Sequence, residues 1–302
     1  MVDSNGDLCH CFPRVAVWSA DYPEQCLLVG LAGNQSPQFI AGYDKLEDED
    51  PGELRTKDSV LNMMKELRVI YDEDEADSIV ACLAAAGECG LNGVLEPWWE
   101  DHIDFQPWRT ITPDILHGLH RFFRDHPLKW VRKLVGHAEY DRRLSALQPL
   151  IGVCHFPDGI SHLKQITGKE DRDLQRTVVA ISAGAPKMTG NCLCATRAIL
   201  DLIYILQYES HDDQTFAYID EFHHEFHTHK VGFLDAGVRT MKNGERHMKI
   251  PKLYGLHSYK PSIRALGSSP QWSTEHGERA HIPLAKDLYR GTNQREFGLQ
   301  MC

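Results

Sequence analysis

The sequence predicts a helix-rich α/β protein: a few strands near the N-terminus, then a long, mainly helical middle and a helical C-terminal stretch. Three observations carry this. Residues 11–18 and 26–31 are short apolar runs separated by the polar turn 19–25, which reads as a core hairpin. Residues 103–111 can form a further strand. From about residue 128 to 270, apolar side chains recur mostly at helical intervals.

Composition narrows the class. The chain has 302 residues, 42% hydrophobic and 25% charged, which suits one large core or two smaller ones. No apolar run approaches a membrane span, and the polar, acidic start Val2-Asp3-Ser4-Asn5-Gly6-Asp7 is unlike a signal peptide, so a nuclear or cytoplasmic rather than secreted protein is expected. The nine cysteines follow no framework spacing, as expected of reduced thiols. The net charge of −11 is unlike a simple nucleic-acid binder, but acids concentrate in 44–53 and 72–77, which read as solvated loops.

In chain order, Val60, Met63, Met64, Leu67 and Ile70 share one face of a helix starting near Asp58, and residues 79–86 suggest a second helix ended by Gly87 and Gly90. Trp98 and Trp99 anchor the return to the core. Thr112 suits a helix cap and Pro113 the first helical position, which puts Asp114 in the first turn of a strand-to-helix junction. Helix-dipole stabilisation alone explains an acid there. Residues 128–147 are helical, and 154–160 form a loop. Gly168-Lys169 opens another helix and lacks the glycine spacing of a phosphate loop. Residues 192–208 are apolar nearly all round, hence a buried helix, with Cys192 and Cys194 as core residues.

Two clusters invite a chemical reading. His223 and His227 share a helical face, but His224-Glu225-Phe226-His227 is one residue short of the zinc-protease spacing and no third ligand is indicated, so zinc is not expected. Arg239, Lys242, Arg246, Lys249 and Lys252, with His247, form the one sustained basic stretch and are the candidates for phosphate contact, with a solvated loop the competing reading. Near the end, residues 273–293 open with a helix-start signal, and Ile282, Ala285 and Tyr289 follow at helical spacing. Glu278 and His281 lie three apart, on one face.

The residue strings themselves carry a resemblance. TE-x-x-ER-x-HI-x-x-AK-x-x-YR-x-x-N at 274–293, FPR-x-A-x-x-x-ADYPEQ-x-LL at 12–28 and TPD-x-LH-x-LH-x-x-F-x-DH at 112–126 resemble fungal Plavaka-type transposases, relatives of the CACTA group, in the family's order. EFH-x-x-K-x-x-F-x-x-x-GVR at 225–239, and Ile250, Pro251, Leu253, His257 and Tyr259, continue it. The resemblance implies a partial RNase H-like core at 1–126, a large, mainly α-helical insertion at 127–270, and a C-terminal catalytic helix returning to the core at 271–302. It implies DNA cleavage and strand transfer by a DDE triad holding Mg²⁺. Asp114 matches the second acid with His117 as D-x-x-H, and Glu278 the last acid with His281 as E-x-x-H; Glu275 stays open as the alternative to Glu278. A histidine three residues from a metal-bound carboxylate can support it. His120 and His126 are packing or surface residues.

Departures from the family pattern shape the expectation. The family's C-P-x-C, half of a zinc site, is Ser36-Pro37-Gln38-Phe39 here. Cys9-His10-Cys11 does not replace it, because neighbours on a strand point to opposite faces. The first catalytic aspartate of the family lies upstream of ADYPEQ in a D-K-T context, which neither Asp3 nor Asp7 matches. Tyr254 stands where relatives often carry histidine. The implied partner is DNA, at transposon ends, with a homo-oligomer allowed; Mg²⁺ binds only if further sequence completes the site, and strand transfer from this chain alone is not expected. The alternative is a non-catalytic remnant that binds DNA or protein.

Overall fold

The computed structural model describes residues 2, 4–10, 15–102, 104–241 and 243–301. Helices dominate, as the periodicity predicts. Among the described residues, strand structure is limited to β1 (Trp18–Ser19) and β2 (Ile111–Thr112) and a few isolated bridges. The two strands pair in parallel, with Trp18 opposite Ile111 and Ser19 opposite Thr112.

The predicted N-terminal hairpin is replaced by a strand and a helix. Residues 11–14 lie outside the described residues, and 26–31, read as a strand, falls largely in the helix Tyr22–Val29. The reason is capping: the Asp21 side chain accepts the Glu24 N–H, Pro23 sits in the first turn, and Gly30 closes the helix at φ 87°. A six-residue apolar run fits a buried helix as well as a strand, and the caps decide. The strand predicted over 103–111 likewise shrinks: Pro107–Thr110 is one helical turn, and residue 103 lies outside the described set.

The helices Lys57–Ile70 and Ala76–Cys89 form where predicted. Thr56 and Ser59 make a reciprocal capping box for the first, and Gly90 ends the second at φ 74°. Val60, Met64, Leu67, Cys82 and Ala86 pack with Cys26, Val29 and Ile111 into an N-terminal core. Trp99 stacks on Phe105 with ring centroids 4.9 Å apart, and its indole N–H donates to the Leu28 carbonyl at 2.7 Å.

After Asp114 the chain runs helically through Leu116–His120, Arg121–Phe123, Arg124–Leu128 and Lys129–Val135. Two of these segments, Leu116–His120 and Arg124–Leu128, are π-helical. The second contains Pro127, which has no N–H to donate to a regular turn. The run crosses residues 126 and 127 without a break. Leu119, Phe122 and Phe123 are fully buried in a second, larger core that extends from Ile115 to Trp272, and a small third cluster joins Phe39, Ala41 and Leu46 to Tyr254. The centre of the larger core is the helix pair Gly190–Ile205 and Asp213–His229. Cys192 is buried and Cys194 exposed, so the two thiols do not share a surface.

One expectation about an exposed segment changes. The acidic loop read as solvated is docked: Asp44 pairs with Lys249 at 2.7 Å, Glu47 accepts the Met248 N–H at 2.7 Å, and Glu49 meets His224 at 2.7 Å. At the C-terminus, Glu275–His281, the π turn Ile282–Lys286, Asp287–Gly291 and Phe297–Met301 contain no buried residue. Ile282 and Tyr289, which recur at helical spacing, are 46% and 36% exposed. The return to the body is polar. No helix among the described residues is long and apolar enough to cross a membrane.

The helix pair sets a test. Phe226 is fully buried in the larger core. Phe226→Ala should cost about 3–5 kcal/mol of unfolding free energy in urea denaturation, whereas a loss below about 1 kcal/mol would mean that this core is not packed as described.

Candidate active site

Two parallel strands bring two aspartates to one edge. Ser19 and Thr112 end β1 and β2, and their hydroxyls lie 3.1 Å apart. Two residues beyond each strand comes an acid, Asp21 and Asp114. Each caps the helix that follows: Asp21 Oδ1 accepts the Glu24 N–H at 3.0 Å, and Asp114 Oδ2 accepts the His117 N–H at 2.8 Å. Parallel pairing makes both helices start at the same end of the sheet, where open α/β sheets place their ligands.

Asp114 is buried, and its carboxylate is held from several sides. Oδ2 also meets His117 Nδ1 at 2.6 Å, and Oδ1 accepts the Thr274 N–H at 3.0 Å. The Tyr259 hydroxyl donates to the Asp114 carbonyl at 2.7 Å. Gly118 makes room for that phenol, since a Cβ there would run into the Tyr259 oxygen. Burial pushes the Asp114 carboxyl up, but the His117 and Thr274 hydrogen bonds outweigh it and hold its pKa at about 2. The bond to Asp114 raises the pKa of His117 against burial, with the charges of Asp114, Glu278 and Asp21 adding to the effect.

His117 then bridges to the third acid. Its Nε2 lies 3.3 Å from Glu278 Oε1, while the Glu278 side chain remains half exposed. Glu275 points elsewhere and forms an ion pair with Arg172, which also donates to His120 Nε2 at 3.2 Å. Of the two glutamates open in the sequence, the structure therefore brings Glu278 to the cluster. His281 does not mirror His117: it is exposed at the end of its helix, with no hydrogen-bond or ion-pair partner among the described residues. His120 bonds Gln175 at 3.2 Å, and burial pushes its pKa down to about 4. His126 packs between Phe122 and Trp130.

Asp21, Glu24, His117 and Glu278 line one open cavity of ≈ 450 Å³ together with Ser19, Ser273, Thr274 and Gly277. Asp21 and Glu24 were not singled out as site residues from sequence. The signal was present in Asp21-Tyr22-Pro23-Glu24, a cap, a first-turn proline and an acid, which marks a helix start directly after a strand. Carboxylate oxygens are the ligands a hard divalent cation takes. Asp21 and Glu278 line the cavity, and each has one carboxylate oxygen without a hydrogen bond among the described residues, whereas both oxygens of Asp114 are engaged. Asp21 and Glu278 are thus carboxylates of this cavity with an unengaged oxygen, and Asp114 orients His117.

The basic candidates are partly brought together. Arg239, Lys249 and Lys252 line a neighbouring open cavity with Tyr22 and Tyr43. Each also has an internal partner: Arg239 donates to the His247 carbonyl at 2.7 Å, Lys249 pairs with Asp44, and Lys252 lies 3.6 Å from Asp125. Arg246 is exposed and donates to Leu234 at 3.3 Å, and Lys242 lies outside the described residues. Where the zinc half-site would stand, Phe39 packs edge-on against Tyr254 and His257, with centroids 6.1 and 6.3 Å away.

The Asp114–His117 pair gives stability a defined pH window. Asp114 has a folded pKa of about 2, below its unfolded value of about 3.9, so its contribution is complete above pH ~4 and is lost as pH falls through about 2. His117 has a raised folded pKa, so its contribution is complete below pH ~6.5 and is lost as pH rises through the folded value. Asp114→Asn should lower the His117 titration followed by NMR and reduce the stability advantage between those limits. An unchanged His117 titration in that variant would refute the pairing.

Residues 1–131 match the Plavaka transposase family model, a stretch that contains Asp21, Asp114 and His117 but not Glu278. No curated protein and no solved structure matches the chain.

Proposed function

We propose that the chain is transposase-derived and that the cavity beside β1 and β2 is a divalent-cation site for cleavage and transfer of DNA strands. One observation carries this reading: Asp21, His117 and Glu278, from three separate segments, line one open cavity, with Asp114 bonded to His117 behind it. The similarity of residues 1–131 to Plavaka transposases supports it. A bound Mg²⁺ would offset the charge of a phosphodiester and activate the attacking oxygen. The residues that would hold it are Asp21 and Glu278.

The chain's own groups do the positioning. Asp114 fixes the His117 ring so that Nε2 faces Glu278, and the raised pKa of His117 favours an imidazolium between the two carboxylates. That positive charge limits repulsion among the acids before a cation arrives. Phosphates would approach along Arg239, Lys249 and Lys252, in a chain whose net charge of −11 opposes DNA elsewhere. This activity implies a nuclear location.

A second reading, a non-catalytic remnant binding DNA or protein, draws on a different observation: both Asp114 oxygens are already bonded, and Glu278 is held by His117. Nicking of supercoiled plasmid with Mg²⁺ or Mn²⁺ separates the two. Asp21→Asn and Glu278→Gln should each lower cation-dependent nicking by at least about a hundredfold, as loss of an electrostatic stabiliser does, and His281→Ala should leave it unchanged. DNA binding without cation-dependent nicking, equal in all three variants, would sink the catalytic reading and favour the remnant.

A further inference from the structure

Away from the acidic cavity, three imidazoles meet. His223 and His227 lie four residues apart on the Asp213–His229 helix, so both leave the same face. The third ring, His257, comes from the 3₁₀ turn Gly255–Ser258. Ring centroids are 4.5 Å apart for His223 and His227, 4.3 Å for His223 and His257, and 6.2 Å for His227 and His257. One ring nitrogen from each lies within 4.8 Å of the others, the one gathering of three or more His, Cys, Asp or Glu ligand atoms this tight among the described residues. The sequence offered the helical pair but not the third ring, which lies 30 residues beyond His227.

We propose that His223, His227 and His257 form a binding site for a transition-metal ion, Zn²⁺ by ligand chemistry. Three neutral imidazoles with no carboxylate or thiolate suit a borderline ion such as zinc and not Mg²⁺ or Ca²⁺. The independent sign is an unmet need: the Nε2 atoms of His223 and His227 are buried and have no hydrogen-bond partner. Burial, reinforced by neighbouring positive charge, pushes the pKa of His223 to about 3 and of His227 to about 2, and burial pushes His257 to about 4. All three rings are therefore neutral, with a lone pair available, at physiological pH.

The surroundings already orient the rings. His257 Nε2 lies 3.3 Å from the Asp48 carbonyl, which leaves its Nδ1 to a ligand. Lys230 Nζ approaches His227 Nδ1 at 2.8 Å and also bonds the Glu47 carbonyl. Coordination through His227 Nε2 would shift the ring proton to Nδ1 and break the Lys230–Nδ1 bond, leaving the ammonium on the Glu47 carbonyl. A water would complete a four-coordinate site. The ion would tie the long helix to the turn that leads into Tyr259, whose hydroxyl holds the Asp114 carbonyl. This inference stands whether or not the acidic cavity cleaves DNA.

The test uses the full chain, stripped with chelator, exchanged into ZnCl₂ and freed of unbound ion by gel filtration. Elemental analysis should find about one zinc per chain, and zinc should raise the melting temperature. His223→Gln and His257→Gln should each bind zinc at least about tenfold more weakly, while His155→Gln, at an exposed remote histidine, should bind as the parent does. Cobalt substitution in the unaltered protein guards against a misfolded variant. A visible ligand-field band without a thiolate charge-transfer band supports three imidazoles; a thiolate band assigns the ion to cysteines and overturns the proposal. So does a parent chain that retains no zinc, or glutamine variants that bind it as tightly.

Discussion

A carboxylate withdrawn from water has to find donors, and Asp114 finds them on two different stretches of chain. It caps its own helix, fixes the ring of His117, and receives the N–H of Thr274 from the start of the C-terminal helix. Its carbonyl meanwhile accepts the Tyr259 hydroxyl. The sheet edge, the larger core and the C-terminal segment are thus joined through one residue, and the negative charge is kept ionised by the same bonds. His117 extends that bonding to Glu278, so the geometry of the cavity follows from how Asp114 is satisfied.

Charge balance follows a similar logic farther out. The chain is acidic, but its acids are not all left in solvent. The loop around residues 44–49 lies against Lys249, Lys230, His224, His257 and the Met248 N–H. Lys249 is consequently occupied by Asp44, and the basic wall beside the acidic cavity is weaker than its count of cations implies. The same loop supplies the carbonyls that orient Lys230 and His257.

Local signals were legible where they were complete. Thr56 and Thr167 cap the helices that follow, and Gly90 ends the helix before it, as their residue types indicate. The pairing of Asp114 with His117 was legible in the D-x-x-H match, but Asp114 stands just before the helix as its cap instead of in its first turn, with Thr112 still in the strand. The short apolar run after Asp21 misled, since its length suits either structure and the cap signal just before it carried the decision. Long-range choices were not legible at all. Whether Glu275 or Glu278 meets His117 depends on Arg172, 103 residues before Glu275, and the third ring near His223 and His227 comes from another segment. The spacing of Ile282 and Tyr289 says which residues share a side, not whether anything covers it, and both are exposed.

The C-terminal helices bury no residue and meet the body through polar contacts of Thr274, Glu275 and Glu278. Their hold is therefore local, and fraying of this segment need not await unfolding of either core. Each such opening would carry Glu278 away from His117 while Asp21 and Asp114 stay on the sheet edge. The acidic cluster then exists only for the fraction of time in which the segment is docked. Whatever grips Glu278 from the cavity side lengthens that fraction, so occupancy of the cavity and order of the chain's last helices are two readings of a single equilibrium.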